Sequence, residues 1–114
     1  MIIINLTLAT ICFLGQCHPI LVGPQTPTGE YTLTKRYTEQ KGYGGDVLQF
    51  HEDDKYVYAI HLVWKEIPKQ QREQRLRSDN IKDRYITSGC INVDSPIYDK
   101  LLQCCSNASI IIKR

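Results

Sequence analysis

Five cysteines and three histidines are the side chains of this sequence best suited to nucleophilic or acid–base chemistry. Cys90 differs from the other four cysteines, because small residues precede it in the stretch RYITSGCINV and Asn92 follows it. A buried structural thiol needs no such neighbours, whereas a thiol presented to a substrate does. The thiolate is the reactive form, so a working cysteine also needs a base or a positive charge nearby.

Three histidines are candidates for that base. His18 precedes a proline and His51 borders an acidic turn, whereas His61 lies among aliphatic residues in YVYAIHLVW. Side chains alternate along a strand, so His61 shares a face with small and branched apolar residues, where its protonation can be controlled. A histidine at such a place is also common as a purely structural residue. The residues alone therefore give Cys90 and His61 as a candidate pair and leave open whether they meet.

The odd number of cysteines allows two pairs and one free thiol in an oxidised protein. Cys12 and Cys17 flank a predicted turn and are placed to face each other, whereas adjacent Cys104 and Cys105 are expected not to bridge without strain. The alternative is that these four are small buried residues in a reducing compartment. No Cys/His spacing indicates zinc, so we expect no metal site.

The length and composition predict one globular domain, residues 1–114. Apolar residues make up 42% and charged residues 23% of the sequence, as in soluble globular proteins. The formal net charge of +2 is too small to indicate nucleic-acid binding.

The apolar N-terminal stretch MIIINLTLATICFLGQC admits two interpretations, a secretory signal or a β-hairpin. A signal begins with basic residues and an unbroken apolar run, but no Lys or Arg precedes this run and polar residues interrupt it. Apolar and polar residues alternate from Ile4 to Leu8, as in a half-buried strand. Gly15-Gln16 predicts a turn into a second strand over 17–22, so we favour the hairpin. The run is also shorter than the ~20 apolar residues of a membrane span.

The rest of the chain predicts a mainly β fold with two short helices. Strands are predicted at 30–34, 47–50, 56–64 and 108–114, with a type I turn at TPTG (26–29) and a loop at KGYGGD (41–46). One helix is predicted from Pro68 to near Asn80. A second follows Cys90, with Ser95 as its cap and Pro96 in its first turn.

The segment TSGCIN, residues 87–92, resembles the signature of the L,D-transpeptidase catalytic domain (YkuD-type). That signature is a histidine, a spacer, and then Ser/Thr-His-Gly-Cys-hydrophobic-Asn, and Ser88 stands here where the second histidine is usual. TPTGEYTL, AIHLVW and the N-terminal hairpin resemble other parts of the family. The stretch RLRSDNIKDRYITSGCINV resembles a subgroup with a longer spacer that also lacks the second histidine. The resemblance covers nearly the whole chain and implies a β-sandwich of mixed sheets.

The resemblance also implies a role for each residue of the site. Cys90 would be the nucleophile and His61 the general base and acid, with a backbone carbonyl just after His61 as the third partner. An oxyanion hole would be formed by the backbone N–H groups of Ser88, Gly89 and Cys90. Gly89 would be required because a side chain would obstruct that approach. Three further residues would bind substrate or organise the loop: Asn92, Thr87 and Arg84. The basic segment 65–84 would be either a lid over the cleft or a plain solvated insertion.

The implied activity is attack of the thiolate on the carbonyl after a meso-diaminopimelate residue of a peptidoglycan stem peptide. D-Alanine would leave, and an amine would resolve the thioester to a 3–3 cross-link, or water would do so in an L,D-carboxypeptidase. Carbapenem-type β-lactams would acylate Cys90, and no metal or organic cofactor is implied. We expect a monomer in the cell envelope or periplasm, although the chain carries no convincing signal peptide.

Two other functions stay open from the sequence. One is a non-catalytic cell-wall-binding or assembly module of the same fold, which could have lost Cys90, His61 or Gly89 but has all three. The other is a small cytosolic redox protein, in which Cys104 or Cys105 would react before Cys90.

Overall fold

The computed structural model describes residues 1–37, 46–63 and 68–114. The strands within these ranges are β1 (Ile2–Asn5), β2 (Thr10–Phe13), β3 (Gln16–Pro19), β4 (Gly29–Thr32), β5 (Thr34–Tyr37), β6 (Asp46–Glu52), β7 (Val57–Leu62), β8 (Ile91–Val93) and β9 (Ser109–Lys113). The helices are α1 (Arg72–Leu76) and α2 (Ser95–Cys105), with 3₁₀ turns at Pro68–Gln70 and Ile81–Arg84. Residues 41–45 of the predicted glycine-rich loop, the end of the predicted 56–64 strand at Trp64, and residues 65–67 lie outside the described residues.

The strands form two mixed sheets. In the described residues the first has the order β3-β2-β1-β9-β4 and the second β5-β6-β7-β8. Within them β1 and β9 run parallel, as do β7 and β8, whereas the other neighbours are antiparallel. With one helix before and one after Cys90, this architecture confirms the predicted fold class.

Both sheets and α2 bury their apolar faces in one core. Alternate residues of β1, Ile2 and Ile4, are completely buried, and they pack in the same cluster as Ile60 from β7 and Leu101 from α2. Burying a side chain of this size stabilises the fold by roughly 1.5–3 kcal/mol. Since β7 contributes to this core, the strand that carries His61 is held in place along its length.

The N-terminal stretch is β structure, although it is divided differently from the prediction. The segment between β1 and β2 is a turn, so Leu8 is exposed rather than part of a strand. The predicted hairpin joins β2 and β3 through Leu14 and Gly15, both at positive φ, which suits the twist of a two-residue hairpin loop. β3 ends at Pro19, and the next residues form isolated bridges, Leu21 with Asn92 and Val22 with Tyr85.

The predicted helix over 68–80 is wrong in its length. Gln71 adopts a left-handed backbone (φ 50°) between the 3₁₀ turn and α1, and Asn80 caps the next 3₁₀ turn by accepting a bond from Lys82 N–H. Leu76 is the buried residue of α1, so the segment lacks the apolar stripe that sustains a long amphipathic helix.

The cap of the second helix is also displaced by one residue. Asp94 has the extended backbone of an N-cap and accepts a bond from Ser95 N–H, while Ser95 lies inside α2. Asp and Ser cap helices about equally well, so the choice depends on the backbone of β8, which ends at Val93. Within the described residues, no helix is long and apolar enough to cross a membrane.

The four cysteines outside the motif form two disulfides. Cys12 and Cys17 are register partners across the β2–β3 hairpin and are bonded, as expected. Cys104 and Cys105 are also bonded to each other, a bridge that the sequence made unfavourable but did not exclude. They lie in the last turn of α2, where backbone carbonyls lack helical partners and the chain is less constrained. Cys90 is the free cysteine.

Candidate active site around Cys90 and His61

His61 lies near the end of β7 with only 2% of its surface exposed. Its Nδ1 is 2.7 Å from the backbone oxygen of Leu62. Because a carbonyl can only accept, this bond places the ring proton on Nδ1. The Nε2 atom of a neutral ring then carries the lone pair. The backbone carbonyl just after His61 is the partner that the family resemblance implied.

Burial lowers the pKa of His61 from 6.5 to about 4, the charge of Arg72 acts in the same direction, and the bond to Leu62 opposes the shift. The imidazole is therefore neutral throughout the range from pH 5 to 8. A neutral imidazole with a proton on Nδ1 can accept a second proton at Nε2, which is the chemistry of a general base.

This lowered pKa predicts that His61 makes the fold more stable as the pH rises from about 4 to 6.5. In that window the unfolded chain binds a proton at His61 and the folded chain does not, so acid favours unfolding. The difference corresponds to about 3 kcal/mol in the free energy of unfolding. Urea denaturation between pH 4 and 7 measures it. His61→Gln should show a correspondingly smaller change, and an equal pH dependence in both proteins would contradict the prediction.

Cys90 immediately precedes β8 and is partly exposed. Burial raises the pKa of its thiol, while a backbone hydrogen bond with Ala59 and the charge of Arg72 lower it. The sulfur is 3.7 Å from the backbone oxygen of Val57, to which the thiol donates. The resting group is therefore a thiol that needs a base to become a nucleophile.

The parallel pairing of β7 with β8 brings the thiol and the imidazole into one region. His61 is the register partner of Asn92, two residues beyond Cys90. The sulfur contacts β7 at Val57 and Ala59, so it lies a short distance before His61 along the same strand. Asn92 is fully buried, and its amide nitrogen is 3.4 Å from His61 Nε2.

The loop before the sulfur is fixed by two buried threonine hydroxyls. Thr26 Oγ1 donates to the carbonyl of Gly89 (2.9 Å), and Thr87 Oγ1 donates to the carbonyl of Cys90 (2.6 Å). In a trans peptide the carbonyl and the following N–H point in opposite directions. The N–H of Cys90 therefore points away from Thr26, in a direction set before any substrate arrives.

Gly89 is required for a reason that the sequence did not indicate. A Cβ at this position would lie 2.6 Å from the ring of Tyr58, so the absence of a side chain lets the loop pack against β7. This contact is internal to the protein, and the obstruction to substrate that the family resemblance implied for a side chain here stays a prediction.

The other predicted site residues differ in their surroundings. Ser88 is exposed, and Thr87 and Asn92 adjoin the pair as described. The buried guanidinium of Arg84 instead donates to the backbone oxygens of Leu8, Ala9 and Ser78. Its contacts join the segment before the loop to the turn between β1 and β2.

Three residues near the pair were not predicted: Thr26, Tyr58 and Arg72. Arg72 Nη1 donates to Asn92 Oδ1 at 2.8 Å. Arg72 is one of many basic residues in a polar segment, and its sequence context does not distinguish it from solvated neighbours. Thr26 begins the predicted turn at 26–29, which is wrong because the turn lies at Pro24-Gln25. Its partner Gly89 is 63 residues away.

An open cleft of about 440 Å³ lies beside the loop. Its lining residues are Gln25, Asp53, Asp54, Lys55, Tyr56 and Tyr58. Tyr58 and the backbone of Gln25 are also the groups nearest to Gly89. Two residues that line the cleft therefore also contact the loop at Gly89.

Comparison with solved structures identifies the fold. The chain is similar to an L,D-transpeptidase from Xylanimonas cellulosilytica, with 14% identity and a TM-score of 0.59 over 97% of this chain and 58% of that one. It is similar to an L,D-transpeptidase from Mycobacterium smegmatis, with 16% identity and a TM-score of 0.58 over 99% of this chain and 58% of that one. It is also similar to an L,D-transpeptidase (Yku) from Stackebrandtia nassauensis, with 14% identity and a TM-score of 0.55 over 97% of this chain and 53% of that one. This chain has the L,D-transpeptidase fold.

The similarity to L,D-transpeptidases is one of structure. No protein-family model and no curated protein sequence matches the chain. The chain spans 53–58% of the length of these three structures. These superpositions cover 97–99% of this chain.

Proposed function

We propose that this protein is a cysteine-dependent L,D-transpeptidase that acts on peptidoglycan stem peptides. The observation that carries the proposal is the arrangement of the free thiol of Cys90 beside the strand of a buried, neutral His61. The Nδ1–H of that imidazole is bound to the carbonyl of Leu62, so Nε2 is the nitrogen that can take up a proton. The L,D-transpeptidase fold supports the choice of acyl transfer over other thiol chemistry.

Acylation begins when His61 Nε2 takes the thiol proton of Cys90. The sulfur attacks the carbonyl after a meso-diaminopimelate residue, the C–S bond forms, and the carbonyl oxygen gains a negative charge. Backbone N–H groups of Ser88, Gly89 and Cys90 stabilise that oxyanion. The imidazolium then gives its proton to the leaving amine of D-alanine, the C–N bond breaks, and a thioester remains.

Deacylation uses the same groups in reverse. His61 removes a proton from the incoming amine of a second stem peptide, the amine attacks the thioester, and the thiol of Cys90 is restored. A 3–3 cross-link results. If water enters in place of the amine, the product is a free carboxylate and the reaction is that of an L,D-carboxypeptidase.

The hydrogen-bonded carbonyls of Gly89 and Cys90 support the proposed oxyanion hole. Thr26 and Thr87 hold the peptide groups on either side of Cys90, so the N–H of Cys90 is oriented without the reorganisation that water would require. Thr87 and Asn92 therefore organise the loop and the base, and Arg84 acts further away on the turn between β1 and β2. The cleft beside Gly89 is the proposed entry for the stem peptide.

The substrate places the proposed activity in the cell envelope or periplasm, where we expect the protein to act as a monomer. Carbapenem-type β-lactams mimic the acyl donor and are the proposed inhibitors. The subgroup with a longer His-to-Cys spacer and without the second histidine is the proposed place of this chain in the family.

Two measurements test the proposal together. Incubation with a carbapenem should add the mass of one inhibitor to the intact protein, and peptide mapping should place it on Cys90. Digestion of purified peptidoglycan should yield 3–3 cross-linked dimers, or tripeptide stems with released D-alanine. Dimers indicate transfer and free tripeptides indicate hydrolysis. A protein that gains no mass and releases no product would instead fit the non-catalytic wall-binding module.

A further inference from the structure

Arg72, on α1, is anchored by two side chains at the candidate site. Its Nη1 donates to Asn92 Oδ1 at 2.8 Å, and its Nε donates to Gln70 Oε1 at 2.7 Å. Asn92 itself has no exposed surface. A guanidinium held on two edges in this way has one orientation, so the segment 68–76 contributes a fixed cation to the region of His61.

The bond from Arg72 decides which way the Asn92 amide faces. A guanidinium has only donors, so it requires the amide oxygen of Asn92. The amide nitrogen then faces His61 Nε2 at 3.4 Å. An N–H group in that position is compatible with an Nε2 that carries a lone pair and not with one that carries a proton.

We propose that Arg72 is a positioning residue that keeps His61 in its basic tautomer by fixing the amide of Asn92. Removing the guanidinium takes away this donor to Asn92 Oδ1, and we expect a population in which the amide is rotated by 180° and presents its oxygen to Nε2. An oxygen there favours a proton on Nε2, and with Nδ1–H still bound to Leu62 the ring becomes an imidazolium. The base would then be occupied before the thiol of Cys90 could use it. The expected loss of catalysis rests on the proposed function, whereas the expected change in the tautomer of His61 does not depend on it.

The charges around His61 act in the same direction. Arg72 is the ionic group that lowers the pKa of His61, and it also lowers the pKa of the Cys90 thiol. The other titratable or charged groups of these described elements are Tyr58 on β7 and Glu73 and Arg75 on α1, and Cys90 lies just before β8. A positive charge therefore keeps the resting imidazole neutral and favours the thiolate of Cys90.

The test is nitrogen NMR of histidine-labelled protein, which distinguishes the two neutral tautomers and the imidazolium. The wild type should show His61 as a single Nδ1–H tautomer that titrates near pH 4. In Arg72→Gln we expect the Nε2-protonated or charged form to appear and the titration midpoint to rise from about 4 toward 6.5. Arg72→Lys, which keeps the charge, should restore most of the wild-type behaviour. His61→Gln assigns the signal.

Two arginines of the same segment provide matched controls. Arg75 donates to the backbone oxygens of Gln70 and Asp83, so Arg75→Gln loosens the segment without removing the bond to Asn92. Arg77 is exposed, and Arg77→Gln removes charge alone. Both controls should keep the His61 spectrum of the wild type. An unchanged His61 in Arg72→Gln, or an equal change in Arg75→Gln, would overturn the proposal.

Kinetics separate this role from a general loss of structure. The base remains present in Arg72→Gln, so the loss in kcat should be about 10-fold, which is smaller than the ~10²–10⁴-fold contribution of a general base. KM should be nearly unchanged. Asn92→Asp is a second variant that always presents oxygen to Nε2, and it should raise the His61 titration midpoint even with Arg72 in place. If the wild type forms no thioester but Arg72→Gln still shifts the tautomer, the proposed function fails and the role of Arg72 stands.

Discussion

Replacing Cys90 with alanine is expected to abolish both thioester formation and product release from peptidoglycan. Removal of the nucleophile from a hydrolytic triad lowers kcat on the order of 10⁶-fold, which is below detection in either assay. Cys90→Ser should also be nearly inactive, because a hydroxyl is far less acidic than a thiol. The rates are measured as acylation by a carbapenem, followed by mass, and as D-alanine release from a stem tetrapeptide.

The fold should survive this change, since Cys90 is partly exposed and lies outside the hydrophobic core. Circular dichroism and thermal unfolding of Cys90→Ala should match the wild type. Ser88→Ala is the neighbouring control: its side chain is exposed and only its backbone is assigned a role, so most activity should persist. Wild-type rates in Cys90→Ala would remove this residue from the mechanism.

Replacing His61 with glutamine should slow acylation by ~10²–10⁴-fold, the usual contribution of a general base. Glutamine can still donate a hydrogen bond but cannot accept the thiol proton at neutral pH. In the wild type, the acidic limb of kcat/KM should have its midpoint near pH 4, because burial lowers the pKa of His61 to about 4. Below that value the imidazole is protonated and cannot act as a base.

The other two histidines are the matched controls for this prediction. His18 lies on β3 beside Phe13, and His51 lies on β6 between two tyrosine rings. Glutamine at either position should change the acylation rate by a small factor. An essential His51 with a dispensable His61, or an acidic limb near pH 6.5, would show that a different group is the base.

The sequence was sufficient for features that depend on near neighbours. Alternation along YVYAIHLVW located β7 and placed His61 on it, and the turn residues around Gly15 located the hairpin that brings Cys12 to Cys17. The motif around Cys90 and its resemblance to a known family led to the fold class. Each of these follows from a local periodicity or a contiguous motif, which the sequence shows without any knowledge of the tertiary contacts.

Helix boundaries in the polar segment could not be predicted in the same way. Good helix formers from Pro68 to Asn80 indicated one long helix, but only Leu76 of α1 is buried against a second small cluster with Leu21 and Val63. Helices in proteins depend mainly on an apolar face packed against other elements. Propensity alone therefore overestimated the length.

Only the tertiary structure decided which polar side chains surround the thiol and the base. Thr26 reaches Gly89 across 63 residues, and Arg72 reaches Asn92 across 20. Such bonds depend on how two sheets and an irregular segment pack together. The sequence alone does not show which arginine of a polar segment makes a contact inside the protein. Asn92 is completely buried, and an unpaired buried amide oxygen is unfavourable by about 1–3 kcal/mol. Arg72 supplies a donor to that oxygen.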